Sequence, residues 1–182
     1  MRRLTKENIN TPEFFDKHFS GELEYADIAR LEKLIKHYKG GPYMEVGCFD
    51  SPLPIIVKER FPEASVWACD FSPRVIEVLK KNHPEVTYVR LDARDGLGSN
   101  SFDYVVAGEV IEHMEDPEEF IENCVEALRK DGWLAISTPL EESDRREVGE
   151  KQHLWSFTEQ DFKDWGFETE VAGKTILAWK RK

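Results

Sequence analysis

Two periods of apolar and polar positions run along this chain. Leu23, Ile28, Leu31, Leu34 and Ile35 recur close to the helical repeat, so residues 11–38 read as helical. Gly40-Gly41-Pro42 ends that stretch. Beyond it, short apolar runs alternate with helix signals. A strand at 43–46 precedes a helix from Pro52 to about Arg60. A strand at 65–69 precedes a helix at 73–82. Pro52 and Pro73 suit first helical positions, with Ser51 or Asp50 capping the first helix and Ser72 the second. Strands follow at 86–91 and 102–107. Asp116-Pro117 opens a helix that reaches Arg129 and stops at Asp131-Gly132, and a strand follows at 133–137. Thr158 caps a short helix to about Trp165, and the last residues read as two strands turning at Ala172-Gly173.

Strand and helix in strict alternation call for an α/β fold, a doubly wound and mostly parallel sheet covered on both faces. The run Y-V-V-A at 104–107 fits a strand buried on both sides. The final hairpin should add an antiparallel edge. At 182 residues the chain fits one domain, 1–182, with 1–40 as a helical cap and 41–182 as the α/β core.

The formal net charge of −11 argues against nucleic acid and anionic membranes, which need a basic footprint, and leaves a small molecule as the expected partner. The three cysteines form no C-x-x-C pair and imply neither a disulfide framework nor a zinc knuckle. The basic start has no apolar core behind it and nothing approaches the ~18 apolar residues of a membrane span, so a cytoplasmic protein is expected. Oligomeric state is not readable from these features.

In doubly wound sheets, ligands bind outside the carboxyl ends of the strands where strand order reverses. The loop after the first core strand reads E-V-G-C-F-D-S, from Glu45 to Ser51. The second strand ends at Asp70 in A-C-D-F-S-P, and the third ends in Leu91-Asp92-Ala93. The fourth leads into G-E-V-I-E-H-M-E-D-P, Gly108 to Pro117. In this order the motifs resemble the class I S-adenosylmethionine-dependent methyltransferases, in their small-molecule branch. The resemblance covers roughly residues 43–139 and implies a Rossmann-like, seven-stranded sheet. It also implies S-adenosyl-L-methionine as cofactor, S-adenosyl-L-homocysteine as product, and in-line methyl transfer to an oxygen or nitrogen of a small molecule.

The resemblance places Glu45, Gly47, Cys48, Phe49, Asp70, Phe71, Asp92, Ala93, Gly108 and Glu109 at the cofactor. Gly47 lets the backbone approach the methionine part without a Cβ. Asp70 can accept from both ribose hydroxyls, as an acid does in dinucleotide folds. Asp92 can accept from the adenine amino group, with Ala93 leaving room for the ring. Glu45 either sits near the cationic amino acid end or is a structural buried acid; Asp70 could be only a helix cap, and Asp92 only turn chemistry. Phe49 and Ser51 stand where the family usually has glycine. Phe49 must adopt an allowed backbone angle or reshape the loop, which keeps a non-catalytic cofactor-binding or scaffold protein as the alternative.

Two histidines could take a proton from the acceptor. His153 lies at the end of the loop 140–157, whose charged run E-E-S-D-R-R-E-V-G-E-K suits a lid. His113 either serves as a base or closes the cofactor pocket. Glu109, Glu112 and His113 lack the spacing of H-E-x-x-H, and no metal is expected. His18, His37 and His83 read as surface. Phe14, Phe15, Phe19 and Tyr25 would turn an apolar face toward the pocket, or pack a plain helix on the sheet.

Overall fold

In a computed structural model, residues 1–25, 27–140 and 152–182 are described. The elements in chain order are β1 (Arg2–Arg3), α1 (Pro12–His18), α2 (Ile28–Leu34), β2 (Tyr43–Val46), α3 (Leu53–Arg60), β3 (Val66–Asp70), α4 (Pro73–Asn82), β4 (Thr87–Arg90), β5 (Phe102–Gly108), α5 (Pro117–Ala127), β6 (Leu128–Pro139), β7 (Trp155–Ser156), α6 (Glu159–Asp164), β8 (Glu168–Ala172) and β9 (Thr175–Arg181). A seven-stranded sheet runs in the order β4-β3-β2-β5-β6-β9-β8. Its first five strands are parallel, and β9 pairs antiparallel with both β6 and β8. The α/β, doubly wound, Rossmann-like architecture is therefore as expected. From β2 the chain winds outward through β3 and β4, then returns to lay β5 on the other side of β2. That reversal opens the crevice between the β2 and β5 loops.

The period-2 alternation of a strand explains the two cores. Tyr43, Tyr104, Val106, Ala135 and Leu177 face one way, onto α2, α3 and α4. Met44, Val105, Ala107, Ile136 and Ala178 face the other way, onto α5 and α6. Glu45 shares the parity of Tyr43 and so points under α2 and α3, where an apolar side chain would be the ordinary choice.

Local signals set most boundaries. The Ser72 side chain accepts from the Val75 amide at 3.1 Å, and Asp116 accepts from the amides of Glu118 and Glu119. Thr158 and Asp161 form a reciprocal capping box on α6. At α3 the N-cap is Pro52 itself, without a side-chain cap bond, although the Ser51 hydroxyl accepts from the Leu53 amide at 3.2 Å.

The Pro52 N-cap of α3 replaces the expected Ser51 or Asp50, and two further expectations are corrected. Residues 11–38 do not form one helical stretch. Thr11 caps α1, the chain turns at Gly21 (φ +94°), and Asp27 caps α2. The break lets Phe19 bury against Phe49, which one straight helix would prevent. Helix α5 ends at Ala127 rather than Arg129. Its chain passes directly into β6, and Asp131 at φ +68° lies where the β5–β6 register shifts, so Asp131-Gly132 marks a bulge and not a helix stop. Finally, β1 pairs antiparallel with β7 in a small second sheet that local pattern did not announce. No helix among the described residues is long and apolar enough to cross a membrane.

Candidate functional site

A cavity of about 310 Å³ opens at the carboxyl ends of β2, β3, β4 and β5, at the reversal of strand order. All ten residues expected at the cofactor, from Glu45 to Glu109, lie on its wall, and so does His113. His153 does not line it. The charged run 141–151, expected to act as a lid, lies outside the described residues.

The first wall is the loop after β2. Gly47 adopts φ +66°, and a Cβ there would stand 2.6 Å from Val110 Cγ2, so this residue needs glycine both for conformation and for space. Phe49 adopts φ +31°, a left-handed angle uncommon for a bulky side chain. Three contacts hold it there. Its amide donates to Asp70 Oδ2 at 3.1 Å, and its ring meets Phe15 and Phe19 edge-on or tilted at 5.7 and 5.5 Å. The departure from glycine thus anchors the N-terminal segment to the loop.

Glu45 lies in the floor, 2% exposed, and its Oε2 has no hydrogen-bond partner among the described residues. Burial pushes its carboxyl up to about 8, while a hydrogen bond from Ser51 and the nearby Arg30 guanidinium pull it back. Ser51, the second departure from glycine, therefore supports the acid of the same loop.

Asp70 closes the second wall. Its oxygens accept from the amides of Phe49 and Ser72, yet burial lifts its carboxyl to about 6. Asp92 is differently placed. Arg94 donates to it from the backbone at 3.0 Å and from Nε at 2.9 Å, which holds its carboxyl below the usual range. Arg94 also lines the cavity. The Cys48 and Cys69 thiols are buried and pushed up by desolvation, so neither is a thiolate nucleophile.

Two wall residues, Arg30 and Asn10, carried no readable sequence signal. Arg30, on the charged side of α2, donates through Nη1 to Ser137 Oγ at 2.8 Å and to Glu109 Oε1 at 3.4 Å, while Ser137 donates to Glu109 at 3.0 Å. Burial raises the Glu109 carboxyl and Arg30 opposes that. Glu109 is itself left-handed, at φ +57°. Asn10 donates through Nδ2 to the Gln152 carbonyl at 2.8 Å and the His113 carbonyl at 3.3 Å, tying the N-terminal strap to the residues before His153. Arg30 and Asn10 each reach partners about 80 to 140 positions away.

Phe15 hangs from α1 into the cavity wall and touches Phe49, Phe71 and His113, with centroids 5.4 to 5.9 Å away. It is the clamp between α1 and the loops. Phe15→Ala is expected to raise amide exchange of the α1 segment, residues 12–18, about tenfold or more, with little change in the exchange of β2 and β5. Unchanged exchange in 12–18, read by mass spectrometry, would show that the clamp lies elsewhere.

His37 is not a plain surface residue. It stacks on Trp133 with centroids 4.0 Å apart and pairs with Glu168.

Comparison with known proteins gives a consistent relation. The chain is 28% identical over 130 residues to malonyl-[acyl-carrier protein] O-methyltransferase of Halalkalibacterium halodurans, covering 66% of this chain and 48% of that protein. It is 30% identical over 110 residues to the mitochondrial ubiquinone biosynthesis O-methyltransferase of Schizosaccharomyces pombe, covering 56% of this chain and 39% of that protein. This chain therefore spans about half the length, or less, of these curated relatives. Its fold matches the N-methyltransferase NodS of Bradyrhizobium japonicum, solved with S-adenosyl-L-homocysteine, with TM-score 0.73, 17% identity, and coverage of 95% and 98% of the two chains. Residues 44–136, half of the chain and the segment that carries the cavity loops, match the methyltransferase domain family. The chain belongs to the class I S-adenosylmethionine-dependent methyltransferase family.

Proposed function

We propose that the protein binds S-adenosyl-L-methionine in the cavity and transfers its methyl group to an oxygen or nitrogen of a small molecule. The observation that carries this reading is the buried Glu45 carboxyl with a bare Oε2, set at the reversal of strand order beside a loop whose Gly47 admits no side chain. A lone buried acid is costly unless a cation meets it, and the amino group of the cofactor is such a cation. Gly47 and Cys48 would flank the methionine part and Asp70 the ribose hydroxyls. Phe71 and Ala93 would flank the adenine, with Asp92 shared between its amine and Arg94.

The bound cofactor supplies a methyl group on a sulfonium, a good leaving group. The chain's own share is alignment, which holds nucleophile, carbon and sulfur in line, and exclusion of water by Phe15 and Phe49. Aromatic rings near the sulfonium add roughly 0.5–2 kcal/mol. Residues 1–40 act in this reading as a cap over the core. Both curated relatives are named O-methyltransferases, which favours an oxygen acceptor, and a net charge of −11 favours a small molecule over nucleic acid. His113 is the histidine on the cavity wall, and His153 stands behind it with ring centroids 5.0 Å apart. Direct contact with the acceptor would fall to His113, with His153 acting through it.

Calorimetry tests the cofactor reading. Binding of S-adenosyl-L-homocysteine is expected in the micromolar range, about −8 kcal/mol. Asp70→Ala should weaken it by roughly 1–3 kcal/mol through loss of charged hydrogen bonds. Asp70→Asn keeps only one of the two acceptors, for either the Phe49 or the Ser72 amide, and removes the charge, so its loss relative to Asp70→Ala weighs loop support against ribose binding. Full affinity in both variants would place the nucleoside elsewhere. Label transfer from the methyl-labelled cofactor to a metabolite pool separates an enzyme from a cofactor-binding protein without turnover.

A further inference from the structure

Asp16 stands in the last turn of α1, where an acid opposes the helix dipole. It is partly buried and does not itself line the cavity. Its partners lie at the start of α4. Asp16 Oδ1 accepts from the Ser72 hydroxyl and, at 3.2 Å, from the Arg74 amide. Arg74 Nη1 returns the contact by donating to the Asp16 carbonyl at 2.6 Å. Pro73 has no N–H to satisfy, and the Ser72 hydroxyl accepts from the Val75 amide at 3.1 Å. The N-terminus of α4 is thus capped twice, once by its own serine and once by a carboxylate 56 residues away in the chain.

Ser72 is fully buried and serves two acids. Its amide donates to Asp70 Oδ1 at 2.9 Å, and its hydroxyl donates to Asp16. A carboxylate only accepts, and the same hydroxyl oxygen already accepts from Val75, so the hydroxyl proton is committed to Asp16. The other amide on Asp70 belongs to Phe49, whose ring rests on Phe15 and Phe19. Phe15, Asp16 and Phe19 recur at the helical spacing and share one face of the N-terminal segment. Both donors that aim the Asp70 carboxylate are therefore held from behind by that single face.

We propose that Asp16 is a positioning residue of the cofactor site: acting through Ser72 it orients the ribose acid Asp70, and it thereby couples the docking of α1 to occupation of the nucleoside subsite. The cofactor role rests on the methyl-transfer reading above, whereas the contact with α4 does not. A side chain that fixes the partner of a ligand-binding group fixes the direction in which that group meets its ligand. The coupling is reciprocal. If docked α1 strengthens nucleoside binding, the bound nucleoside stabilises docked α1 by the same factor. Phe15, one residue away, lies on the cavity wall, so a cofactor that tightens α1 also tightens the wall that keeps water from the methyl group.

A double-mutant cycle tests this, read by calorimetry with S-adenosyl-L-homocysteine. Asp16→Ala is expected to weaken binding about tenfold in the parent background, the scale of one charged hydrogen bond. In the Asp70→Ala background, where no carboxylate is left to orient, the loss should be less than about twofold. Asp16→Asn keeps Oδ1, the atom that accepts from both donors, and should recover most of the affinity. Amide exchange supplies the reciprocal arm. The ligand should slow exchange of residues 12–18 in the parent, and Asp16→Ala should lose most of that protection. Without ligand, segment 71–76 of Asp16→Ala should exchange faster, because the Arg74 amide has lost its acceptor. Circular dichroism checks the folding of each variant. Equal losses in the two backgrounds, or parental affinity in Asp16→Ala, overturn the positioning role and reduce the contact to packing. A parent that binds no S-adenosyl-L-homocysteine, while segment 71–76 still responds to Asp16→Ala, overturns the methyl-transfer reading and the cofactor role with it, and leaves the capping contact standing.

Discussion

Glu45→Gln should leave the ligand-free protein about as stable as the parent at pH 5 and make it several kcal/mol more stable at pH 8.5. The folded carboxyl is raised from 4.5 to about 8 by burial. Between those values the folded protein keeps a proton that the unfolded chain has lost. Unfolding then releases a proton, so parental stability falls as pH climbs through that window and levels off above about 8. Each unit of displacement is about 1.4 kcal/mol, which sets the scale of the loss. Glutamine cannot ionise and escapes it. Urea melts of both proteins at pH 5, 7 and 8.5 measure the effect, and parallel pH profiles would mean that Glu45 is ionised in the fold. The same physics gives a second readout. A cationic cofactor group favours the ionised acid, so binding at pH 7 should expel close to one proton from the parent and none from the variant. Calorimetry in buffers of different ionisation enthalpy counts it.

Gly47→Ala is expected to destabilise the protein by about 2–5 kcal/mol and to cost cofactor affinity as the loop shifts. About 1–2 kcal/mol comes from holding an L-residue at φ +66°. The remainder, roughly 1–3 kcal/mol, comes from pressing a methyl to within 2.6 Å of Val110 Cγ2. The two parts can be separated. Val110→Ala removes the obstructing methyls, so in the double variant the steric part should vanish and the backbone part should persist. If Val110→Ala gives no relief, the penalty is conformational alone. The loop after β2 is thus constrained at Gly47 by Val110 in the turn after β5, which ties the two sides of the crevice together.

Much of this was legible in the chain itself. Strand and helix periods, the Ser72, Asp116 and Thr158 caps, and the run of motifs from Glu45 to Glu109 each depend on residues within a turn or two of one another. They gave the mostly parallel sheet with its antiparallel edge and the residues that line the cavity, while the order of the strands came from the fold. A helical stretch over 11–38 was overread because apolar spacing alone does not register that Phe19 buries against a loop 30 residues later. The roles of the two glycine departures were equally invisible. Only the folded chain brings Phe15 and Phe19 onto Phe49 and sets Ser51 against Glu45.

The sequence by itself determined where a ligand would sit, because a doubly wound sheet of this order has its crevice at the ends of β2 and β5 whatever the side chains around it. The tertiary structure alone decided what those side chains do. It chained Arg30 through Ser137 to Glu109, tied Asn10 to the Gln152 carbonyl, and set His153 behind His113 rather than on the cavity wall. The reason is range. Periodicity and caps are written in neighbours three or four residues apart, whereas a buried charge's surroundings are assembled from segments about 30 to 140 residues apart, which meet only when the chain has folded.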